Sequence, residues 1–395
     1  MARGLTGTLL APAAALSAAW AAMWHVAPFS DVRITDLFIY ANDANLLAHG
    51  VSPYTNAFPF EYPPLALGPI WLPHALGGRY ATTFGLLMLA CALAVLVCVH
   101  ALGGAKAAWA FVLTPIAAGA VLRTHYDLFA ALALLGALLA FDRRRPVLGL
   151  ALLGAGAMVK GFPLLLAPVA LAWTWRHAGA RSAALGALAC AAVVLVVSAP
   201  FIGDDYLDAY RFHIDRPVQI ESTPAVVLYA IGGAHVTGTT QHGDEFNSNG
   251  LRGGPAGAVQ ALFGALFVAA IAALAWLATL RAEPRHLVLC LIAGVIAFVA
   301  LGKVLSPQYV AWLAPLAAVL FAWRERLAAA LLAAGVVLTQ VEFPFRYFSL
   351  VRGDDGTRLI VAARDAVLVA ALCVLISRAA AAARSPSPAA APARS

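Results

Sequence analysis

The acids of this chain gather where its apolar character breaks. Residues 35–65, TDLFIYANDANLLAHGVSPYTNAFPFEYPPL, set Asp36, Asp43 and Glu61 among aromatic residues and prolines. A carboxylate positioned beside a hydroxyl can take its proton as that hydroxyl attacks an electrophile. From Thr35, read as the N-cap, the apolar residues Leu37, Tyr40, Ala41, Ala44, Leu47 and Ala48 recur at helical spacing towards Gly50, with Pro53 beyond. The pattern predicts an amphipathic helix lying on the membrane, with Asp36 and Asp43 on one meridian at the border of its apolar face. An acid in a first helical turn also has a plain structural use, because the helix dipole favours it by about 0.3–1 kcal/mol. Asp43, in mid-helix, fits a solvated polar face as well as a substrate contact, and Asp31, after Pro28, fits a turn.

Two lysines offer the complementary charge. Lys160 in GAGAMVKGFPLLLAPVALAWTWR and Lys303 in AFVALGKVLSPQYVAWLAPLAAVLFAWR each stand between two short apolar helices, followed by two prolines and a closing Trp-Arg. An ammonium below the headgroup level costs about 2.5–3.5 kcal/mol on insertion scales, which marks a functional candidate whose natural partner is an anion at the same depth, such as a lipid phosphate. Snorkelling of the lysine stems to water is the bland alternative. RTHYDLF adds Arg123, His125, Tyr126 and Asp127 at the start of a helix, and YRFHIDRPVQIEST adds Arg211, His213, Asp215, Arg216, Gln219 and Glu221 in a loop bounded by apolar spans.

The elements that must position these groups are membrane helices. Of 395 residues, 62% are hydrophobic and 11% charged, and apolar runs near the roughly 20 residues that cross a bilayer recur along the chain. Spans are expected within 1–24, then at 79–102, 106–122, 127–141, 147–159, 162–175, 183–200, 257–281, 286–302, 309–323, 327–341 and 359–378, an all-α polytopic bundle of about twelve transmembrane helices. The basic, Ala-rich start resembles a secretory signal, but its apolar part is long, so an uncleaved first span is expected. EYPPLALGPIWLPHAL, too short to cross, predicts a re-entrant or interfacial piece. The net charge of +7 resides in clusters such as Arg143, Arg144 and Arg145 between spans, the signature of short cytoplasmic loops and not of a nucleic-acid stripe. With the N-terminus inside, these clusters all fall on the cytoplasmic face. Residues 28–78, 201–256 and 342–358 fall outside, carrying all but five of the nineteen acids. Residues 1–378 read as one domain and 379–395, RAAAAARSPSPAAAPARS from Arg378 on, as a disordered cytoplasmic tail. The five cysteines lie in apolar segments without ligand spacing, and nothing resembles a nucleotide-binding loop.

Taken together and in order, DLFIYANDANLLAHGVSPY, EYPPL, RTHYDLF, KGFPLLLAPVALAW, RPVQIES and GKVLSPQYVAWLAPL resemble glycosyltransferase family 87 over nearly all of residues 28–323. The resemblance is to GT-C-type mannosyltransferases of actinobacterial phosphatidylinositol mannoside and lipoglycan synthesis. It implies a GT-C-like bundle, a polyprenyl-phosphate sugar donor, transfer on the outer face of the cell membrane, and a catalytic Asp in the first external loop. The family's D..vY....L..G..PY pattern falls on Asp36, because Tyr40, Gly50, Pro53 and Tyr54 follow in register. Its donor-phosphate region corresponds to Lys160 and Lys303. After Ser306-Pro307 this chain has Gln308 and Tyr309, where the phosphatidylinositol mannoside enzymes carry His, so the acceptor stays open.

On these terms Asp36 is the general base of an inverting transfer, and one carboxylate suffices because a phosphate leaves without a general acid. Lys160, Lys303, Arg216 and Arg123 are expected to hold that phosphate. Tyr40, Tyr54, Phe60 and Tyr62 are expected to line the sugar site, with Asp43, Glu61, His125, Asp127, His213, Glu221, Gln308 and Tyr309 as further substrate contacts. No cofactor is expected beyond the donor substrate, and no metal-ligand spacing stands out, although clustered acids leave a divalent ion open. The expected partners are the lipid-linked donor, a lipid or glycan acceptor and membrane lipids. A secondary transporter or flippase is the rival, supported by the Lys-Pro similarity; a non-catalytic scaffold explains the hydrophobicity but not the joint motifs.

Overall fold

The computed structural model describes residues 2–27, 29, 30, 32, 34–203, 205–238 and 247–384, with side chains from Thr8 onward. Asp31, Asp204, Asp244 and Glu245 lie outside the described residues, as does the tail from 385.

The chain is a helical bundle, and every expected apolar span coincides with helix. Among the described residues five helices are long and apolar enough to cross a membrane by length and composition: Tyr80–Val112, Ala180–Phe201, Ala256–Thr279, Pro284–Leu301 and Asp355–Arg384. Shorter helices, among them Asp127–Asp142, Pro146–Val159, Val310–Ala322 and Arg326–Glu342, complete the bundle. Proline in the first turn starts several of them, Pro146 and Pro284 for instance, where its missing N–H is no loss. Pro284–Leu301 is buried on nearly every side and forms the centre. Ala180–Ser198 and Ala256–Thr279 keep most of their surface exposed, with Leu188, Leu195, Val196, Leu262, Val268 and Trp276 outward, as helices facing acyl chains must. The first helix, Ala2–Ala22, is tied in by Trp20, whose indole N–H donates to the Gly85 carbonyl at 3.2 Å.

The break expected between the second and third spans is present: within Tyr80–Val112 two helices meet at Gly104, which sits at φ +67, a left-handed conformation that glycine adopts without a Cβ clash. Three features differ from expectation. The third span stops at Val112, and the short helices Thr114–Ala118 and Val121–Thr124 follow. The last helix runs to Arg384, so residues 379–384 belong to it and not to a disordered tail; their alanines are strong helix formers. The second long loop also holds a three-stranded antiparallel sheet, Gly250–Arg252 in the middle between Val218–Gln219 and His235–Val236. Strands this short leave no alternation to read in a sequence.

The bundle is interrupted repeatedly at one end. The helix Val121–Thr124 stops at extended His125; Pro146–Val159 stops at extended Lys160; and the 3₁₀ turn Phe162–Leu166 then leads into Ala167–Ala178. Pro284–Leu301 likewise stops at Gly302, and the 3₁₀ turn Pro307–Tyr309 leads into Val310–Ala322. The two lysine segments thus share one local design. Irregular backbone at membrane depth leaves N–H and C=O groups unpaired, and is tolerated where it borders a polar cavity.

Candidate active site

That cavity exists, with a volume of about 1040 Å³, at the upper end of the range for small-molecule sites. Every interruption contributes to it: His125, Lys160 and Gly161, then Lys303 and Ser306. The start of the Leu37–Ala48 helix lines it through Asp36, Phe38 and Ile39. Asp36 occupies that helix's N-cap position, one residue later than expected, and Thr35 instead accepts the Leu37 N–H at 3.2 Å. The helix closes with the Val51 N–H donating to the Leu46 carbonyl around Gly50 at φ +74.

The Asp36 side chain makes no capping hydrogen bond. It lines the cavity, where the Tyr40 hydroxyl donates to its Oδ2 at 3.2 Å and His125 Nε2 lies 3.4 Å from the same oxygen. Hydrogen bonding behind His125 assigns its tautomer. The Thr124 hydroxyl donates to the Ala120 carbonyl at 3.0 Å, so its oxygen is left as an acceptor for His125 Nδ1, also at 3.0 Å. The Val121 carbonyl, 3.2 Å from Nδ1, can only accept. Nδ1 is therefore placed to donate, which turns Nε2 towards the Asp36 carboxylate. Tyr40 and His125 are buried, whereas Asp36 keeps 30% of its side chain exposed, towards the cavity.

The cations are arranged unequally. Lys160 Nζ donates to both oxygens of buried Asp127 at 2.8 Å and lies over the rings of Tyr126, Trp312 and Tyr309 at 5.2, 5.6 and 5.9 Å. Lys303 Nζ donates to the carbonyls of Ile214 and Arg216 at 2.6 and 2.7 Å, and its own carbonyl accepts from the Gln219 N–H at 2.9 Å. It latches the second long loop to the bundle. Arg216 lines the cavity with its Nε buried and without a hydrogen-bond partner among the described residues. Burial raises Glu61 above the ordinary carboxylate range, opposed by Tyr62 and by Arg216. His213, exposed at the cavity edge, has its Nε2 3.0 Å from the Glu61 carbonyl, which can only accept.

Of the residues singled out in the sequence, Thr35, Asp36, Glu61, Tyr62, His125, Lys160, His213, Arg216, Gln219, Glu221, Lys303, Gln308 and Tyr309 line this one cavity. Several others do not. Asp43 is buried two turns further along the same face of its helix, where burial and the charge of Glu61 raise its pKa to about 7; it does not line the cavity. Tyr54 and Phe60 are core residues, the Tyr54 hydroxyl donating to the Tyr62 carbonyl at 2.7 Å and its ring packed edge-on against Phe60, Phe201 and Tyr206. Tyr40 supports Asp36 from behind, and Asp127 supports Lys160. Arg123 is buried outside the cavity, donating to the Ser30 carbonyl at 3.2 Å and lying over Trp24, so it is not placed to hold a substrate phosphate.

Several lining residues escaped the sequence reading: Trp312, Ser248, Asn249 and Tyr347. Behind Glu221 sits fully buried Arg364, which donates to Asp365 Oδ1 at 2.8 Å and to the Glu221 carbonyl, with Glu342 Oε2 3.7 Å from its other nitrogen. An Arg-Asp pair in the middle of an apolar span is a readable signal of this kind. Among the described residues no group of three or more His, Cys, Asp or Glu side chains is placed to hold a metal ion.

The arrangement offers a carboxylate backed by an imidazole, three cations at the same cavity, and an apolar rim of Phe38, Leu165 and Ile214. It suits proton removal beside an anionic group carried on a lipid. Among known families, the model of glycosyltransferase family 87 matches residues 60–307, well over half of the chain. The match takes in Glu61, His125, Lys160, Arg216, Glu221 and Lys303; Asp36 lies upstream of it. No curated protein matches the chain.

Proposed function

The chain belongs to glycosyltransferase family 87 and is a membrane glycosyltransferase; from that premise we propose that it moves a hexose, mannose foremost, from a polyprenyl-phosphate donor to a hydroxyl of a lipid-linked or envelope-glycan acceptor on the extracytoplasmic face. One observation carries this reading: Asp36 shares a cavity with Lys160 and Arg216, and apolar side chains at its rim, Phe38 and Ile214, are 71% and 70% exposed, as a path for a prenyl tail requires.

In the proposed reaction the acceptor oxygen bonds to C1 as the bond from C1 to the phosphate oxygen breaks, with inversion. The hydroxyl proton passes to Asp36, and the 3.4 Å contact gives it an onward route to His125 Nε2. A positioned base contributes about 10² to 10⁴-fold in rate. The departing polyprenyl phosphate gains charge, which Arg216 at the cavity wall and Lys160, already shared with Asp127, stabilise through their fields. Lys303 acts indirectly, by holding the Arg216 segment in place. The transporter alternative drew on the similarity of the two lysine segments; their common 3₁₀-to-helix design is explained by the cavity they both border.

Donor dependence tests the reading. Membranes containing the chain, given polyprenyl-phosphate-[¹⁴C]mannose, are expected to label a lipid or glycan product, whereas GDP-[¹⁴C]mannose without a polyprenyl-phosphate mannose synthase is expected to label none. Labelling from the nucleotide sugar alone would refute the proposed donor.

A further inference from the structure

Three helices connect the cavity with the opposite end of the bundle. Asp127–Asp142 opens beside Lys160, while Pro284–Leu301 and Val310–Ala322 flank the cavity residues Gly302 and Tyr309. Their far ends lie in residues 142–145, 281–285 and 323–326, and Arg378 of the last helix joins them by donating to both oxygens of Glu325 at 2.8 and 3.3 Å. Together these residues hold eight arginines against three acids, and none of them lines the cavity.

Side-chain contacts draw the turns into one surface. The Arg285 guanidinium lies over the Trp323 ring at 4.3 Å and donates to the Trp323 carbonyl at 3.3 Å. The Trp323 indole N–H in turn donates to the Leu102 carbonyl at 2.9 Å. Asp142 lies in the fields of Arg285 and Arg143. Two of the three acids are thus held within the cluster, and Arg144, Arg285, Arg324 and Arg326 stay exposed.

Two of the turns are built alike. The Arg144 N–H donates to the Phe141 carbonyl and the Arg145 N–H to the Ala140 carbonyl; the Arg324 and Glu325 N–H groups reach Phe321 and Leu320 in the same way. The residue inside each closure, Arg144 at φ +56 and Arg324 at φ +68, takes a left-handed conformation that favours glycine. Arginine at both positions strains the backbone and brings a charge to each turn.

The surface also has an apolar border. Leu148, Phe321 and Leu327 are exposed, each within one helical turn of an exposed arginine. A soluble polyanion would meet the charges and leave those side chains in water. An anionic phospholipid meets both, its phosphate at the guanidinium groups and its acyl chains at the apolar residues, as basic sites between membrane helices do.

We propose that this end of the bundle is a binding site for an anionic phospholipid of the adjacent leaflet, its phosphate among Arg144, Arg285 and Arg324 and its acyl chains along Phe321 and Leu327. The site lies outside the transfer step, and its fate is independent of the donor and the base proposed above.

The purified full chain in detergent is titrated with dioleoylphosphatidylglycerol and, separately, with dioleoylphosphatidylcholine, and bound lipid is counted by native mass spectrometry at low and high ionic strength. Phosphatidylglycerol is expected to be retained in preference, with the preference shrinking as salt rises. Arg144→Gly with Arg324→Gly removes two charges where glycine suits the backbone, and is expected to weaken phosphatidylglycerol binding about 5-fold per arginine, about 25-fold for the pair. Arg176→Gln with Arg181→Gln takes the same charge from the turn between Ala167–Ala178 and Ala180–Ser198, and is expected to leave binding unchanged. Should the glycine pair not fold, Arg324→Gly alone carries the test with an expected 5-fold loss. Equal retention of the two lipids, an equal loss in the Arg176 and Arg181 variant, or binding indifferent to Arg144 and Arg324 overturns the proposal and leaves only the general attraction of a basic surface. Full displacement by glycerol 3-phosphate at matched concentration would overturn it too, since the acyl chains would then add nothing.

Discussion

Asp43 gives the sharpest stability prediction, because the structure moves it from an expected substrate contact to a buried acid. It is 8% exposed, and burial, followed by the charge of Glu61, raises its pKa from 3.8 to about 7. Between those two values the folded chain holds a proton that the unfolded chain has released, so stability falls as pH rises through the window, and the loss persists above it. At about 1.36 kcal/mol per pH unit the ceiling is about 4 kcal/mol. An amide at this position would mimic the protonated acid at every pH. Asp43→Asn is therefore expected to leave the apparent Tm unchanged near pH 4 and to raise it by several degrees at pH 8, using about 2–4 °C per kcal/mol as a guide. Thermal unfolding in detergent, followed by intrinsic fluorescence across that pH range, measures this. The variant should also keep its transferase activity, because position 43 lies outside the cavity. A Tm difference independent of pH, or a less stable variant at pH 8, would refute the reasoning.

Three further outcomes follow from the cavity. Asp127→Leu strands the Lys160 ammonium and is expected to cost about 3–5 kcal/mol, much of it regained in Asp127→Leu with Lys160→Met; denaturation of the two variants shows whether the pair or the lysine alone matters. His125→Gln is expected to lower kcat/KM on the order of 10²-fold with donor KM unchanged, and a kcat/KM equal to the parent's would show Asp36 working alone. Arg216→Gln is expected to raise the donor KM at least about 10-fold, as loss of a charged phosphate contact should, whereas Lys303→Gln should lower thermal stability more than donor affinity, because its ammonium is engaged by two carbonyls.

The helices were legible because apolar length and Pro-Gly punctuation are local properties: the Leu37–Ala48 helix, its Gly50 terminus and the two Lys-to-Pro segments appear where the residues put them. The gathering of Asp36, Glu61, His125, Lys160 and Arg216 was legible in outline, since chemistry-bearing residues cluster at helix ends that topology brings together. Which face of a helix turns inward was not. Asp36 and Asp43 share a meridian, yet only Asp36 reaches the cavity, because its place at the helix start turns it towards His125 while Asp43 is packed farther along the helix, among buried neighbours. Arg123 and His125, two residues apart, diverge likewise, one to Ser30 and the other to Asp36. The capture of Lys160 by Asp127 and of Lys303 by carbonyls depends on contacts between distant segments that no single motif encodes.

Asp36→Asn in a single-turnover assay with polyprenyl-phosphate-mannose tests the account most directly. The amide preserves the shape of the side chain but not its basicity, so the chain should still insert, still bind donor, and lose at least about 10²-fold in the rate of sugar transfer. Transfer at an undiminished rate would contradict the assignment of Asp36 as the group that takes the acceptor's proton.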